Sequence, residues 1–354
     1  MEKFDVTIVG ASVSGSRTAE LIASKGYRVA LVEEHEKIGR PLKCAGLVSW
    51  RLLELLPDLP RKIIINKVSK AKFFSPSGKF FMLESKKPVY VINRERLDRF
   101  LAQRAVKNGV EIKTLTKFLD LKYVNNLIKV KTSKGNLKTK LLIGADGANS
   151  KVARLAGIKQ PNNILFGIQA TVDGNFDSDS VELWLGSSIA PDFFAWVIPE
   201  NENRARVGLA TDENPLYFFK KFLKKRVGVL TKPDTAGLLK LGLMKETVSQ
   251  RVLLVGDAAC QLKPFSGGGV VYSLIASEIC AGACCKALES EKFDKSSLKN
   301  FYEKIWKKVL GKGIKTGMFY RAILSKLSDQ QLDLLFNSLK CGKNFLERLD
   351  MDFL

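Results

Sequence analysis

The sequence predicts an α/β protein in which a domain built on a parallel sheet is interrupted by an antiparallel sheet and followed by a helical C-terminal part. A βαβ pattern with a glycine-rich turn occupies residues 4–33. Between residues 164 and 210 apolar residues alternate with a period of two, which is typical of an antiparallel sheet with one buried face. From residue 269 onwards the pattern is helical. A chain of 354 residues with this order of elements is long enough for two domains.

The βαβ unit has the size and the turn of half a dinucleotide-binding site. Its predicted elements are a strand at 4–9, a helix at 17–25 and a parallel strand at 28–32. The turn after the first strand carries the candidate ligand-contacting residues Gly10, Ser12, Ser14 and Gly15. It departs from the pattern GxGxxG because Ser12 stands at the second glycine. Glu33 ends the second strand, where an acidic side chain can bind the ribose hydroxyls of an adenosine.

The next elements follow from proline punctuation and short apolar runs. Four prolines separate short strands within residues 57–91, which indicates an inserted antiparallel piece. The pattern then predicts a helix at 94–107 and strands at 110–112, 127–132 and 141–144. The last of these strands runs into Asp146-Gly147, which is either a ligand-contacting turn or a plain β-turn.

A second glycine-rich segment covers residues 256–269. It follows a buried strand, contains Asp257 and Pro264, and ends in three glycines that open a helix. Such turns and helix N-termini present free N–H groups to electron-rich atoms. The two ligand-contacting turns are separated by most of the sequence. Two such turns indicate one long cofactor that is bound at both ends. The alternative for Asp257, a simple helix N-cap, does not account for the proline and the three glycines.

The net charge of +22, from 58 Lys and Arg against 36 Asp and Glu, indicates an anionic partner or a solvated lysine-rich surface. The basic residues are spread along the chain, and no recognisable nucleic-acid-binding motif accompanies them. We therefore expect contact with anionic lipid or an acidic protein, and no nucleic acid.

Cysteine usage and hydropathy bear on location. The six cysteines lack CxxC or Cys/His metal spacing and His35 is the only histidine, so we expect no zinc site and a reduced, cytoplasmic protein. No signal peptide is recognised at the N-terminus. The sequence has no uninterrupted apolar run of membrane-spanning length, and we interpret residues 269–285 as a buried helix.

One amphipathic helix is predicted near the C-terminus. Its apolar face consists of Leu298, Phe301, Tyr302, Ile305, Trp306, Val309 and Leu310, and its basic face of Lys299, Lys304, Lys307 and Lys308. The apolar face either lies in a membrane interface or packs on the domain core; the second is the commoner arrangement and is the one we favour.

Six segments in order resemble one flavoprotein superfamily, which includes aromatic-ring monooxygenases, flavin halogenases and geranylgeranyl reductases. Five are residues 10–15, 40–46, 94–98, 144–147 and 256–269. The sixth, residues 191–199, resembles the PxxYxWxFP motif of geranylgeranyl reductases, with Phe194 for Tyr and Ile198 for Phe. The cysteine-bearing segment Arg40-Pro-Leu-Lys-Cys44-Ala45-Gly46 also resembles that family's flavin loop. The similarity spans essentially the whole chain and is closest to archaeal digeranylgeranylglycerophospholipid reductases; Cys260 departs from it, since many members have Gly or Arg there.

The resemblance implies a Rossmann-like FAD-binding domain of the glutathione reductase/hydroxybenzoate hydroxylase type. That domain would comprise residues 1–56, 92–158 and 246–290, the antiparallel substrate domain 57–91 and 159–245, and the helical part 291–354. FAD would lie extended, with its ribose on Glu33 and its ribityl chain on Asp257. The flavin N1/O2 edge would receive backbone N–H groups, because negative charge develops there on reduction. The implied cofactor-binding residues are Gly10, Ser12, Ser14, Gly15, Glu33, Cys44, Ala45, Gly46, Arg94, Phe118, Asp146, Asp257, Gly268, Gly269 and Val270.

The resemblance also implies three candidate catalytic residues. Phe194 and Trp196 share one side of a strand, so they either wall an isoprenoid pocket or belong to the core. Cys44 is either an inert small apolar residue or a proton donor or gate beside the flavin ring. Whether Cys44 pairs with Cys260 in a disulfide is left open by the sequence.

The implied reaction is saturation of isolated alkenes in a geranylgeranyl chain, on an ether-phospholipid precursor, by hydride from N5 of reduced FAD. The expected partners are this isoprenoid lipid, an acidic electron donor such as ferredoxin, and an anionic membrane surface on the cytoplasmic side. No second nucleotide-binding loop is recognised. The alternatives are a flavin-dependent halogenase or monooxygenase, and a prenyl-binding protein without activity.

Overall fold

The structure, a computed structural model, describes residues 1–339. The strands in chain order are β1 Lys3–Val9, β2 Val29–Val32, β3 Leu47–Ser49, β4 Ile64–Phe74, β5 Phe80–Ile92, β6 Glu111–Lys113, β7 Phe118–Val124, β8 Leu127–Thr132, β9 Gly135–Gly144, β10 Ile164–Asp173, β11 Ser180–Leu185, β12 Phe194–Asn201, β13 Arg204–Thr211, β14 Thr235–Lys240, β15 Val248–Ser249 and β16 Val252–Leu254. The helices are α1 Val13–Ala23, α2 Arg51–Leu55, α3 Arg94–Lys107, α4 Lys151–Leu155, α5 Pro215–Arg226, α6 Val270–Ser290, α7 Lys295–Leu298, α8 Lys304–Leu324 and α9 Asp329–Leu339.

The first sheet contains the predicted βαβ unit. Its strands lie in the order β15-β16-β9-β1-β2-β6, and the β7–β8 hairpin is attached to β9. The central pairs β16–β9, β9–β1, β1–β2 and β2–β6 are parallel, so their carboxyl ends meet at one edge. Ligands of such sheets bind outside that edge. The segments that begin at Gly10, Glu33, Ala145 and Gly256 all leave the sheet there.

The second sheet has the order β14-β10-β13-β12-β11-β4-β5-β3. The sequence analysis predicted an antiparallel sheet, and every pair is antiparallel except β11–β4, which is parallel with Ser180 opposite Lys70. No hairpin joins these two strands, because the whole stretch from β5 to β10 separates them along the chain. The short strand β3 pairs with β5, so residues 47–49 lie in this sheet although residues 1–56 were predicted to belong to the first domain.

The hairpin β4–β5 is longer than its predicted strands. The sequence predicted short strands within residues 57–91 that are separated by prolines, of which Pro88 is the last. Pro88 instead lies inside β5, next to a register shift in which Val68 faces Val89 and Lys70 faces Glu84. Proline is tolerated at such a bulge because the ladder is already interrupted there.

The two faces of the second sheet have different neighbours. On the outer face, α5 packs against β13 and β10. Phe219 and Phe222 of this helix are buried against Trp184 and Leu209. The inner face points towards the first sheet and bounds the cavity described below.

The C-terminal amphipathic helix packs on the core, as favoured above. Leu298, Tyr302, Trp306, Leu310 and Ile314 are fully buried. The indole Nε1 of Trp306 donates a hydrogen bond of 2.9 Å to Thr247 Oγ1. The core covers only part of the predicted apolar face, because Ile305 and Val309 are 46% and 44% exposed.

Helix α6 is long and apolar enough to cross a membrane by length and composition alone. In the most apolar 18-residue stretch of this helix, 67% is buried inside the protein, as is typical of a core helix. It packs along α1, which places the N-termini of both helices at the same end of the molecule.

Candidate active site

One cavity of about 1410 Å³ joins the two sheets. At one end it is lined by the loops that leave the carboxyl edge of the first sheet, and at the other by the inner face of the second sheet. Nearly all of the cofactor-binding residues implied by the resemblance line it, as do Cys44, Phe194 and Trp196; the exception is Gly15, which lies under the first loop.

The N-terminus of α1 is held close to the neighbouring chain by glycines. A Cβ added to Gly15 would lie 1.8 Å from the carbonyl oxygen of Gly10, and one added to Gly10 would lie 2.4 Å from that of Ala145. Gly10 also has a φ of +100°, which L side chains rarely adopt. The first N–H groups of a helix lack intrahelical acceptors, so this tight turn presents donors to the cavity.

Ser12, which replaces the second glycine of the pattern, belongs to a polar cluster on the cavity wall. Its hydroxyl donates to Asp98 Oδ2 at 3.2 Å and accepts from Arg94 Nη2 at 3.3 Å. Arg94 also pairs with Asp98 at 3.1 Å. Burial opposes the guanidinium charge, but Asp98 and then Cys44 raise the pKa of Arg94 above its usual range. A permanently charged guanidinium thus lies beside the Cys44 thiol.

Glu33 lies where the βαβ pattern predicted it, at the carboxyl end of β2. Its carboxylate accepts hydrogen bonds from the backbone N–H groups of Ala11 at 2.8 Å and His35 at 3.0 Å. It therefore braces the first glycine loop. The Oε1 atom of Glu33 also lies 2.6 Å from the ring Nδ1 of His35, so the acceptor position left for a ribose is on Oε2.

The second glycine-rich loop reaches the cavity next to the first one. Gly256 has a φ of +69° and lies against Ser14, since an added Cβ would be 2.4 Å from Ser14 Oγ. A Cβ added to Gly269 would be 3.2 Å from Asp257 Oδ1, and one added to Gly268 would be 2.9 Å from Lys263 Cε. Because these glycines have no side chains, the backbone at the N-terminus of α6 is accessible to a ligand in the cavity.

Asp257 is exposed to the open space of the cavity. Removal from bulk water raises the pKa of its carboxyl group, and the charges of Arg94 and Lys43 oppose this shift. The carboxyl group makes no hydrogen bond to another described residue that would act as an N-cap. It is positioned to accept hydrogen bonds from a polyol chain.

Two further predicted residues lie at the other end of the cofactor half. Phe118 starts β7, is 5% exposed and lines the cavity. Asp146 also lines it, but its carboxylate accepts from Ser150 Oγ at 2.6 Å and from the backbone N–H of Val152 at 3.0 Å. Asp146 therefore caps α4, and burial raises its pKa.

The Cys44-Ala45-Gly46 segment lies between the two halves of the cavity. Arg206 of β13 donates from Nη1 to the carbonyl oxygens of Ala45 at 2.6 Å and Ile92 at 3.1 Å. Glu200 accepts from Arg206 Nε at 2.8 Å. A side chain on Gly46 would collide with the guanidinium, since an added Cβ lies 2.2 Å from Nη1. The second sheet thus fixes the position of the cysteine-bearing loop.

The half of the cavity over the second sheet has an apolar floor. Alternate residues of β4, β5, β11 and β12 point to the same face, because side chains alternate along a strand. The ladder places Phe73 opposite both Phe81 and Leu183, and Leu183 opposite Trp196. The apolar lining residues from these four strands are Val68, Ala71, Phe73, Phe81, Leu83, Val89, Val181, Leu183, Leu185, Phe194, Trp196 and Ile198, and the polar ones are Ser69, Lys70, Glu84 and Ser85.

Trp196 is held in one orientation by two residues that the sequence did not indicate. Its indole Nε1 donates to Gln169 Oε1 at 2.9 Å. Gly208 lies beneath the ring, since a Cβ added there would be 2.8 Å from Trp196 Cε2. Phe194 meets Trp196 edge to face with ring centroids 6.2 Å apart and stacks on Phe193 at 4.2 Å. The aromatic pair lines the cavity with a defined geometry.

Cys260 does not face the cavity. It is 1% exposed and has a left-handed backbone with a φ of +52°. Burial and then Asp257 raise the pKa of its thiol to about 12. Both Cys44 and Cys260 are free thiols, so the question of a disulfide between them is answered. A left-handed position explains why glycine suits this site.

Sequence reasoning missed Asp98, Gln169, Gly208 and Arg206 as site residues. Only Asp98 had a local signal, because it lies four residues after Arg94 on one helix. Within residues 1–339 no group of three or more His, Cys, Asp and Glu side chains is placed to hold a metal ion.

Comparisons with known proteins agree with this geometry. Residues 3–236 match the model of the FAD binding domain family. Digeranylgeranylglycerophospholipid reductase 2 of Methanothermobacter thermautotrophicus is 31% identical, over 97% of this chain and 93% of the relative. A geranylgeranyl bacteriochlorophyll reductase-like protein from Thermoplasma acidophilum superposes with a TM-score of 0.88 at 26% identity, over 95% of this chain and 91% of that one. A flavin-dependent brominase superposes with a TM-score of 0.75 at 16% identity, over 98% of this chain and 93% of that one, which shows a shared fold alone.

Proposed function

The chain belongs to the FAD binding domain family and, within it, to the digeranylgeranylglycerophospholipid reductases, and on that premise we propose that it saturates carbon–carbon double bonds of geranylgeranyl chains on ether-lipid precursors. The observation that carries the proposal is the single cavity of about 1410 Å³, which has backbone donors at one end and an apolar floor at the other. A long isoprenoid chain needs an apolar, water-poor site, and the floor formed by four strands provides it.

The cofactor half fits FAD. Two helix N-termini and two glycine-rich turns, which added Cβ atoms would fill, face one cavity. The residues near α1 would hold the pyrophosphate, Glu33 the ribose and Asp257 the ribityl chain. Gly268, Gly269 and Val270 would hold the flavin N1/O2 edge. When bound and reduced, FAD supplies the hydride for alkene reduction.

The protein contributes position and exclusion of water. An isolated alkene has no carbonyl group that a side chain could polarise, so alignment of the bond accounts for much of the catalysis. Phe194 and Trp196 would hold the chain against the cofactor half. Cys44 lies at the junction beside the charged Arg94, and we assign to it the delivery of the proton to the second alkene carbon.

The electron donor and the location are part of the same proposal. The net charge of +22 suits an acidic electron donor such as ferredoxin and an anionic membrane surface. The five cysteines within residues 1–339 are free thiols, as suits a reducing compartment. We therefore place the enzyme in the cytoplasm, at the inner face of the membrane.

The decisive experiment is anaerobic incubation of the dithionite-reduced, flavin-loaded protein with geranylgeranyl lipids, followed by mass spectrometry. We expect mass increases of two hydrogens for each bond reduced, and none with oxidised protein. No mass gain on any lipid would exclude the reductase. A halogenated aromatic product that requires halide and oxygen would indicate the halogenase alternative, and a purified protein that binds prenyl lipid but no flavin would indicate the binding protein.

A further inference from the structure

Helix α8 has an outward face that no described part of the protein covers. The face opposite the buried Trp306 carries the exposed residues Lys304, Ile305, Lys308, Val309, Lys312, Lys315, Phe319 and Ile323. With 3.6 residues per turn, these eight side chains lie on one side of the helix, over a length of about 30 Å.

The charge on this face has one sign. Helix α8 contains five lysines and Arg321, and no aspartate or glutamate. Lys307 pairs with Glu303 at 3.1 Å, whereas among residues 1–339 no ion pair joins Lys304, Lys308, Lys312 or Lys315 to a carboxylate. Four neighbouring ammonium groups repel one another, and an anionic surface would relieve that repulsion.

Large apolar side chains lie among these lysines. Ile305 and Val309 are 46% and 44% exposed, and Phe319 and Ile323 are 63% and 45% exposed. A solvated basic helix has no need of four such residues on its water-facing side. A helix in the headgroup region of a bilayer does, because its apolar side chains enter the acyl boundary while its lysines remain among the phosphates.

The same face leads to the cavity. Tyr320, Ile323 and Leu324 line the cavity, and Tyr320 and Ile323 are also exposed to solvent. Phe319 is adjacent to Tyr320, with ring centroids 5.8 Å apart. The apolar end of the face is therefore also a rim of the cavity, and a lipid chain would pass from one to the other without crossing water.

We propose that the outward face of α8 docks on an anionic bilayer, with Phe319 and Ile323 inserted and the four lysines on the lipid phosphates. The docking itself follows from charge and exposure; the delivery of a prenyl lipid through the adjacent rim rests on the proposed function. An acidic protein would satisfy the lysines but gives no reason for the exposed Phe319 and Ile323 at the rim. The bilayer accounts for both.

The test is flotation of the full chain with phosphatidylcholine vesicles that contain or lack phosphatidylglycerol. We expect binding to the anionic vesicles alone. Replacement of Lys304, Lys308, Lys312 and Lys315 by Gln should weaken it on the order of 100-fold, since each lysine near the surface contributes to the attraction. Phe319→Ser should remove the part of the binding that persists at high salt.

A matched variant controls for net charge. Replacement of the exposed Lys107, Lys122, Lys131 and Lys138 by Gln removes the same charge elsewhere, and it should leave vesicle binding unchanged.

With a prenyl substrate in anionic vesicles the α8 variant should react slowly, whereas with the substrate in detergent micelles it should match the original protein. Equal binding to neutral vesicles, undiminished binding by the α8 variant, or a defect confined to electron transfer from an acidic protein would overturn the proposal. Vesicle binding is measured without turnover, so absence of reductase activity would leave its result intact.

Discussion

The half of the cavity around the two helix N-termini is bounded largely by backbone, whereas the half over the second sheet is bounded by side chains. In the first half, glycines 10, 15, 256 and 269 lie where a Cβ would meet another atom at 3.2 Å or less. In the second half, mostly apolar side chains from four strands form the floor. A backbone-lined site tolerates few residue types, while a side-chain-lined floor can exchange one apolar residue for another. We therefore expect cofactor binding to be sensitive to single methyl groups, and substrate binding to change gradually.

The strongest test of this difference is Gly15→Ala. An added Cβ would lie 1.8 Å from a backbone oxygen that cannot move alone, so we expect FAD binding to be lost. Gly282→Ala on α6 is the matched control, because nothing lies within 4 Å of a Cβ there. It should retain FAD and gain up to about 1 kcal/mol of unfolding free energy. Flavin fluorescence titration and thermal unfolding measure both, and a Gly15→Ala protein with normal affinity would contradict the backbone-lined site.

The junction between the halves is tested by its cysteines. We expect Cys44→Ser to lower the turnover rate on the order of 1000-fold with FAD affinity unchanged, because a serine hydroxyl is a much weaker acid. Cys260→Gly should be nearly silent, since it removes a left-handed strain and a buried thiol together. Alkylation followed by mass spectrometry should modify Cys44 and spare Cys260, whose thiol has a pKa of about 12. Equal rates for the two variants would remove Cys44 from the mechanism.

Arg206→Met tests whether the second sheet positions the cysteine loop. The variant leaves two carbonyl oxygens without their donor and removes the closer of the two arginines from Glu200, which keeps Arg204 at 3.4 Å, so we expect a loss of about 3 kcal/mol of unfolding free energy. It should also make Cys44 alkylation faster, because the loop is released. Arg204→Met on the same strand removes an exposed arginine and should cost less than about 1 kcal/mol. Unchanged alkylation in Arg206→Met would limit this residue to a structural role.

Gln169→Leu tests the floor itself. It removes the acceptor of the Trp196 Nε1 hydrogen bond at nearly constant volume. A lost buried hydrogen bond corresponds to about 1.4 kcal/mol, so we expect KM for the prenyl substrate to rise about 10-fold. FAD affinity should not change. If KM stays constant while FAD affinity falls, the two halves are not independent.

The smallest effect is expected far from the cofactor, at Asp177 beside the second sheet. Hydrogen bonds from Lys72 and Ser180 hold the pKa of Asp177 at about 2. Because the folded pKa is depressed, the stabilisation is present above the ordinary value of 3.8 and is lost as the pH falls towards 2. The carboxylate is 45% exposed, so the gain should be below about 1 kcal/mol. Thermal unfolding of Asp177→Asn against pH should lack this slope, and FAD binding should be unaffected.

Local sequence patterns were enough to predict the two glycine-rich turns that line the cofactor half of the cavity. A backbone position that needs a positive φ, or that lies against another stretch of backbone, favours glycine at that position. Such a preference is visible within a few residues of sequence, and both glycine turns were predicted on that basis. Glu33 and Asp257 lie just after the ends of strands β2 and β16, so their placement was also local. The helix at 94–107 followed from periodicity. Periodicity also predicted most of the buried face of the helix containing Trp306, but Ile305 and Val309, which it assigned to that face, are exposed.

Only the tertiary structure decided how the halves meet. The contact between Arg206 and Ala45 spans 161 residues, and the one between Trp196 and Gln169 joins neighbours of different strands. The parallel pairing of β4 with β11 likewise joins distant segments. Which face of α8 points outward depends on which face packs against the core. None of these contacts limits which residues can stand beside the contacting residue in the sequence. The partner comes from a distant part of the chain, and only folding brings it near, so a local sequence pattern does not predict the contact.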